Sequence, residues 1–116
     1  MFSQNQLQSI VAQLRSAVQP LFKGQELDII LFGSYARNQA DESSDIDLLI
    51  LVDEPRDRIA KLNWMVGDAA AELLLRYGVV VSPIVENREY FRANAQVLPF
   101  FQNIQREGVH INCLPQ

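Results

Sequence analysis

The chain has 116 residues, of which 48% are hydrophobic and 21% charged, and this size and composition indicate one globular domain, 1–116, too small for two cores. Its formal net charge of −4 argues against non-specific nucleic-acid binding, which requires a basic surface. No apolar stretch reaches the roughly 18 residues of a membrane span, and no signal peptide is recognisable. The single cysteine, Cys113, excludes an intramolecular disulfide or a cysteine-based zinc site. This cysteine content favours a reducing, cytoplasmic location.

The first half of the chain predicts helix and strand in alternation. Ser3 and Gln6 form a capping box, and the apolar stripe behind them predicts a helix that ends between Pro20 and Gly24. Two continuous apolar runs further on predict buried strands. The expected elements are a strand at 27–32, a short helix at 34–38, a polar loop at 39–44 and a second strand at 46–52.

The second half opens with Pro55, a residue favoured at helix starts, and the stripe after it predicts a long helix that ends at Tyr77 before Gly78. Asn87 is expected to cap a short helix. The other expected elements are a strand at 79–85, a helix at 100–107 and a final strand at 109–112. This order predicts an α/β (α+β) fold in which a small mixed sheet is flanked by helices.

The motif with the clearest chemistry lies at the start of the second strand. Asp45 and Asp47 are expected to project from one face, because side chains alternate along a strand. Neighbouring carboxylates repel each other unless a cation lies between them, and Mg²⁺ (or Mn²⁺) prefers such hard oxygen ligands together with phosphates and water. The spacing therefore indicates a divalent-metal site.

The residues that follow the first strand complete this prediction. Gly33 permits a close backbone approach, Ser34 offers a hydroxyl and an N–H where phosphates bind well, and Arg37 can reach a phosphate from one helical turn further on. The interpretation is a site for a metal–nucleoside triphosphate. An equal alternative is that Arg37 is a solvent-exposed residue without a ligand. Ser44 is expected to shape the loop before Asp45.

The resemblance of this chain to a known family rests on two segments, Gly33–Arg37 (GSYAR) and Ser44–Ile50 (SDIDLLI). They resemble the signature of the DNA polymerase β-type nucleotidyltransferase superfamily, and the small size points to its minimal nucleotidyltransferase branch of antitoxin-like proteins. The resemblance implies a polymerase β-like fold, ATP as substrate, Mg²⁺ (or Mn²⁺) as cofactor and a small all-helical HEPN-type toxin as partner. It implies catalytic and metal-binding roles for Asp45 and Asp47, and nucleotide binding by Gly33, Ser34, Arg37 and Ser44.

Two positions depart from the family pattern. Asn38 stands where the family has Gly, and Asn is the next best residue for a left-handed helix end. Ser82, on the predicted third strand, takes the position of a third carboxylate that serves the family as general base and metal ligand. Serine is neither an anionic ligand nor an effective base at neutral pH. Glu86 is the alternative acid, although it lies four residues further along the chain.

Two functions follow, and both stay open on the sequence alone. The first is an enzyme that transfers AMP from ATP to a hydroxyl acceptor, as the antitoxin of a toxin–antitoxin pair. The second is a catalytically degenerate nucleotide-binding module that neutralises a helical partner by direct contact. Phe91, Phe100 and Phe101 are expected either to cover the core or to form the partner surface, and a homo- or hetero-oligomer is compatible with both functions.

Overall fold

A four-stranded mixed sheet forms the centre of the computed structural model, which describes residues 2–111. The strands are β1 (Asp28–Phe32), β2 (Ile46–Val52), β3 (Val81–Asn87) and β4 (Val109–His110). They lie in the order β3-β2-β1-β4. Strand β2 runs antiparallel to β1 and parallel to β3, and β4 runs antiparallel to β1. The mixed sheet predicted from the sequence is therefore confirmed.

The helices flank this sheet and begin and end near the expected residues. They are α1 (Gln4–Val18), α2 (Arg56–Tyr77), α3 (Arg88–Asn94) and α4 (Pro99–Glu107), and a 3-10 turn at Gln19–Phe22 follows α1. The capping box is present, since Ser3 Oγ accepts from Gln6 N–H and Gln6 Oε1 accepts from Ser3 N–H. Within residues 2–111, no helix is long and apolar enough to cross a membrane.

The two faces of the sheet pack against different helices. One face carries the alternate β2 residues Ile46, Leu48, Ile50 and Val52, which are fully buried in a core shared with α1 and α2. On the other face, a second core joins β1 and β2 to α3 and α4, and its buried members are Ile30, Phe32, Leu49, Leu51, Phe91, Phe101 and Ile104. Asp47 alternates with Ile46 and belongs to this second face.

The aromatic residues near the C-terminus divide between core and surface. Phe91 and Phe101 are buried, whereas Phe100 is 47% exposed and its ring meets that of Phe32 edge-on at 5.7 Å. A partner surface made of all three rings is therefore excluded, because two of them stabilise the second core. Large apolar side chains are more exposed on α2, where Trp64 and Leu75 reach 63% and 83%.

Three predicted elements differ from the structure in type or by two residues or more. Residues 34–38 form a turn and not a helix, because Asn38 adopts a left-handed φ of 59° and ends the turn. Strand β3 starts and ends two residues later than predicted, since its pairing with β2 runs from Val81, opposite Ile46, to Asn87. Strand β4 is shorter than predicted, and Asn112 and Cys113 lie outside the described residues.

Candidate active site

A tight turn follows β1 and reverses the chain beside β2. Gly33, the first residue after β1, has a left-handed φ of 76°, a conformation that residues with a Cβ rarely adopt. Hydrogen bonds close the turn: Arg37 N–H donates to the Gly33 carbonyl at 3.1 Å, and Gln39 N–H donates to the Ser34 carbonyl at 2.9 Å. The Gly-Ser pair therefore lies at the point where the chain changes direction.

Gly33 packs directly against the side chain of Asp47. A Cβ added to Gly33 would lie 3.3 Å from the Cβ and 3.1 Å from the Cγ of Asp47, and it would overlap the carboxylate oxygen Oδ2. Glycine is therefore required here for two independent reasons, the left-handed backbone and the space that the carboxylate occupies. Any side chain at this position must displace Asp47.

The sheet register sets the surroundings of Asp47. Its cross-strand partners are Phe32 on β1 and Ser82 on β3, so the three side chains form one row on the face that α3 and α4 cover. Asp45 is exposed just before β2, and its charge acts on Asp47. The structure thus brings Gly33, both aspartates and Ser82 together at one end of the sheet.

The electrostatics of Asp47 are unfavourable without a cation. Partial burial raises the pKa of Asp47 above its ordinary value of 3.8, the charge of Asp45 raises it further, and the charge of Arg37 opposes both. Among residues 2–111, neither aspartate forms an ion pair with a basic side chain. Two adjacent carboxylates without a cationic partner are a donor set that fits Mg²⁺ or Mn²⁺.

Arg37 lies in the same turn, and two side chains hold its guanidinium. Nη1 donates to Glu107 Oε1 at 3.1 Å, and Nε donates to Gln39 Oε1 at 3.2 Å. The Arg37 side chain is still 45% exposed, and its charge lowers the pKa of Asp47. The guanidinium is therefore near the aspartates without being paired with them.

Ser44 belongs to a hydrogen-bonded loop that leads to Asp45. Its hydroxyl accepts from the Asp41 N–H at 2.9 Å and donates to the Asp41 carboxylate at 3.2 Å. Hydrogen bonds from Ser43 are the largest cause of a lowered pKa at Asp41, and Ser44 contributes to it. Ser44 therefore shapes the loop, and the nucleotide contact that the resemblance implies for it stays a prediction.

Glu86 does not lie near the paired aspartates. Its register partner is Leu51, four residues beyond Asp47, which corresponds to about 13 Å along a strand. Its carboxylate accepts from Arg56 Nε at 3.3 Å and from the Asn87 N–H at 2.7 Å. Glu86 is therefore not placed to replace the missing acid, and within residues 2–111 no three His, Cys, Asp or Glu side chains converge as a metal cluster.

Glu107 is the site neighbour that the sequence reasoning missed. It lies 70 residues after Arg37 and belongs to no recognisable motif. The available signal was weak: an acidic residue ends a predicted helix, where the backbone dipole favours a basic one. Only the folded chain shows that its carboxylate pairs with Arg37.

The Gly-Ser turn beside paired aspartates on a mixed sheet is the arrangement expected of a nucleotidyltransferase. Residues 11–103 match the nucleotidyltransferase domain family, and the chain belongs to this family. It is similar to proteins of Methanocaldococcus jannaschii that are named protein adenylyltransferases. One is 38% identical over 98 residues, which cover 84% of this chain and 90% of the relative. Another is 33% identical over 107 residues, with coverages of 88% and 95%.

Two solved structures share the fold. A toxin–antitoxin with AMP-PNP superposes with a TM-score of 0.59 at 23% identity, over 94% of this chain and 75% of the other. A mutant of the toxin–antitoxin MntA–HpeT superposes with a TM-score of 0.56 at 22% identity and the same coverages. At these identities the likeness shows a shared fold and not a shared activity.

Proposed function

We propose that this protein transfers AMP from ATP to a hydroxyl group of a partner protein, as the antitoxin of a toxin–antitoxin pair. The observation that carries the proposal is the Asp47 carboxylate, which packs against Gly33 beside the charge of Asp45 and has no ion-pair partner among residues 2–111. Family membership supports nucleotidyl transfer, and the names of the relatives support AMP as the group and protein as the acceptor.

Each residue of the site has a distinct role in this proposal. Asp45 and Asp47 would hold Mg²⁺ or Mn²⁺, which supplies positive charge to the ATP phosphates when it is bound. Ser34 would donate from its N–H and hydroxyl to a phosphate oxygen beside Gly33, and Arg37 would donate from its forked guanidinium. Catalysis of this kind depends mainly on positioning and on electrostatic stabilisation.

The serine at position 82 makes the proposed AMP transfer slow. It lies beside Asp47 in the parallel register, where the family resemblance places a carboxylate. General acid–base catalysis typically contributes about 10²–10⁴-fold to a rate, and serine does not supply it at neutral pH. The proposed transfer is therefore slow compared with that of a protein carrying an acid at this position.

The proposed acceptor is a toxin protein. The two solved structures described above are of toxin–antitoxin proteins. Together with the sequence resemblance, this supports a small, all-helical HEPN-type partner in the cytoplasm, modified on a tyrosine hydroxyl. The net charge of −4 supports a protein acceptor over a free polynucleotide.

The test is transfer of label from ATP to the product of the neighbouring gene. With Mg²⁺ present, ATP labelled at the α-phosphate should label the partner, and ATP labelled at the γ-phosphate should not, because pyrophosphate leaves. The label should be lost with Asp45→Asn/Asp47→Asn and retained with Asp68→Asn, which removes an exposed carboxylate on α2. Labelling from the γ-phosphate would instead indicate a phosphotransferase, and no labelling of any partner would contradict the proposal.

A second candidate function is neutralisation by direct binding, without catalysis. Ser82 favours it, and so do Trp64 and Leu75, which are exposed on α2 and lie about three helical turns apart on one side. If this candidate is correct, the toxin is inhibited without ATP and by the Asp45→Asn/Asp47→Asn variant. Inhibition should then be lost with Trp64→Ser/Leu75→Ser, provided that the melting curve shows a folded protein.

A further inference from the structure

Arg37 lies near Asp47 but is paired with a different acid. Its guanidinium donates to Glu107 and Gln39. Its backbone N–H donates to the carbonyl of Gly33 at 3.1 Å, and Gly33 packs against the Asp47 carboxylate. An arginine anchored beside an unpaired carboxylate can form a charge-assisted ion pair with it. Such a pair would neutralise one of the two proposed cation ligands.

Glu107 is held in place by tight packing of the next residues. A Cβ added to Gly108 would overlap both the Ile104 carbonyl and the side chain of Ile30, so the end of α4 lies directly on the sheet. Val109 then pairs with Leu31 on β1. The side chain of Glu107, only 23% exposed, therefore reaches the turn from a helix end that packs tightly on the sheet.

Helix stability does not explain an acid at this position. Glu107 is the last residue of α4, where the partial negative charge of the helix end disfavours a carboxylate. Its ion pair with Arg37, 70 residues away in the sequence, is the compensating contact. Residues that break a local rule in this way are often functional.

We propose that Glu107 is a positioning residue, which together with Gln39 holds the Arg37 guanidinium off Asp47. The aspartate pair then stays available to a divalent cation, and Arg37 stays available to a phosphate. This inference rests on the proposed function and adds a residue of α4 to the site. Without the charge of Glu107, Arg37 pairs with Asp47, and a cation must compete with an internal guanidinium.

The experiment uses Mn²⁺ alone, titrated into the nucleotide-free protein and followed by electron paramagnetic resonance of the free ion. Glu107→Gln keeps the side-chain size and removes the charge, and it should weaken Mn²⁺ binding by about two- to fivefold, the range expected for one partly exposed ion pair. In an Arg37→Gln background the same substitution should have no effect, because there is no guanidinium to release.

The matched control is Glu72→Gln. It removes one charge from the exposed Glu72–Arg76 pair on α2, which spans 3.3 Å, and it should leave Mn²⁺ affinity unchanged. Melting curves of all variants establish that they are folded. Isothermal titration with Mg·ATP provides a second readout, in which Glu107→Gln should also bind more weakly.

The outcomes separate this inference from the proposed function. Unchanged Mn²⁺ affinity in Glu107→Gln would overturn the inference alone. Equal weakening with and without Arg37 would also overturn it, because long-range electrostatics is additive whereas release of a guanidinium is not. If the wild-type protein fails to bind Mn²⁺, the proposed metal site is wrong, and the inference is wrong with it.

Discussion

The two ends of the central sheet both carry carboxylates, but only one end neutralises them. Where β2 ends, four acids have an arginine partner: Arg88 pairs with Asp28 and Asp53, Arg58 with Glu54, and Arg56 with Glu86. Where β2 begins, Asp45 and Asp47 form no ion pair with any part of the described chain, residues 2–111, although Arg37 is nearby. The same kind of side chain is therefore used in two ways.

The difference indicates which charges stabilise the fold and which are available to a ligand. Arg88 joins β1, β2 and the start of α3, since it also donates to the carbonyls of Glu26 and Leu51. The aspartate pair instead destabilises the metal-free protein, because burial and mutual repulsion both disfavour ionised Asp47. Folded proteins tolerate such unfavourable charge mainly at functional sites.

The largest expected effect follows from removing the charges at the ligand end. Asp45→Asn combined with Asp47→Asn should abolish Mg·ATP binding, because an amide keeps the shape of a carboxylate but not its charge. The metal-free variant should melt at an equal or higher temperature, since like-charge repulsion is removed. Calorimetric titration and thermal melts measure both quantities. Unchanged Mg·ATP affinity in the folded variant would rule out the assigned site.

Adding an acid where β2 begins should increase the difference in electrostatics between the two ends of the sheet. Ser82→Asp places a carboxylate beside Asp47 and should raise the rate of AMP transfer by about 10²-fold, the lower end of the range for general acid–base catalysis. Without Mg²⁺ the variant should melt at a lower temperature than the wild type, and Mg²⁺ should restore its stability. A slower variant would mean that another group is the base; no change in rate or metal response would mean that Ser82 faces away from the site.

Two glycines with left-handed φ allow the cost of backbone strain to be measured separately from the effect on the aspartate site. Gly33 and Gly78 have φ values of 76° and 68°, so an alanine at either position should lower the free energy of unfolding by about 1–2 kcal/mol. Only Gly33→Ala displaces Asp47; a Cβ at Gly78 meets no atom within 4 Å. Gly33→Ala should therefore weaken Mg·ATP binding about tenfold, or about 1.4 kcal/mol, and Gly78→Ala should not. Equal affinities by calorimetry would contradict the packing argument.

At the neutralised end, Arg88→Met should affect stability and not binding. Its side chain is 19% exposed and has two acidic and two carbonyl partners, so its loss should lower the free energy of unfolding by about 1–2 kcal/mol. Arg76→Met, which breaks an exposed pair on α2, is the control and should have little effect. Urea unfolding measures stability, and a weakened Mg·ATP affinity in Arg88→Met would break the proposed division between the two ends.

The smallest expected effect is a pH dependence of the metal-free protein. The pKa of Asp47 is higher in the folded state than its ordinary value of 3.8. Folding is therefore disfavoured by Asp47 above the raised pKa, and this penalty disappears as the pH falls below 3.8. Asp47→Asn should melt at a higher temperature than the wild type near neutral pH, and the gap should close in acid. A gap that persists below the ordinary pKa would have to come from packing.

Local patterns in the sequence determined the elements and the central motif. Apolar stripes of helical period predicted α1 and α2, and continuous apolar runs predicted β1 and β2, because burial selects side chains with the period of each element. Because side chains alternate along a strand, the sequence alone predicted that Asp45 and Asp47 share the face opposite to that of Ile46. The tight turn at Gly33 and the left-handed Asn38 were likewise readable from residue type.

Only the tertiary structure decided which distant residues meet the aspartates. The family resemblance already implied Ser82 at the third-acid position, but only the register of β3 against β2 removes Glu86 from the site, because a register depends on pairing between strands. The packing of α4 against the sheet brings Glu107 to Arg37 across 70 residues. Such contacts leave no periodic signal in the sequence, since they arise where elements that are far apart along the chain pack together.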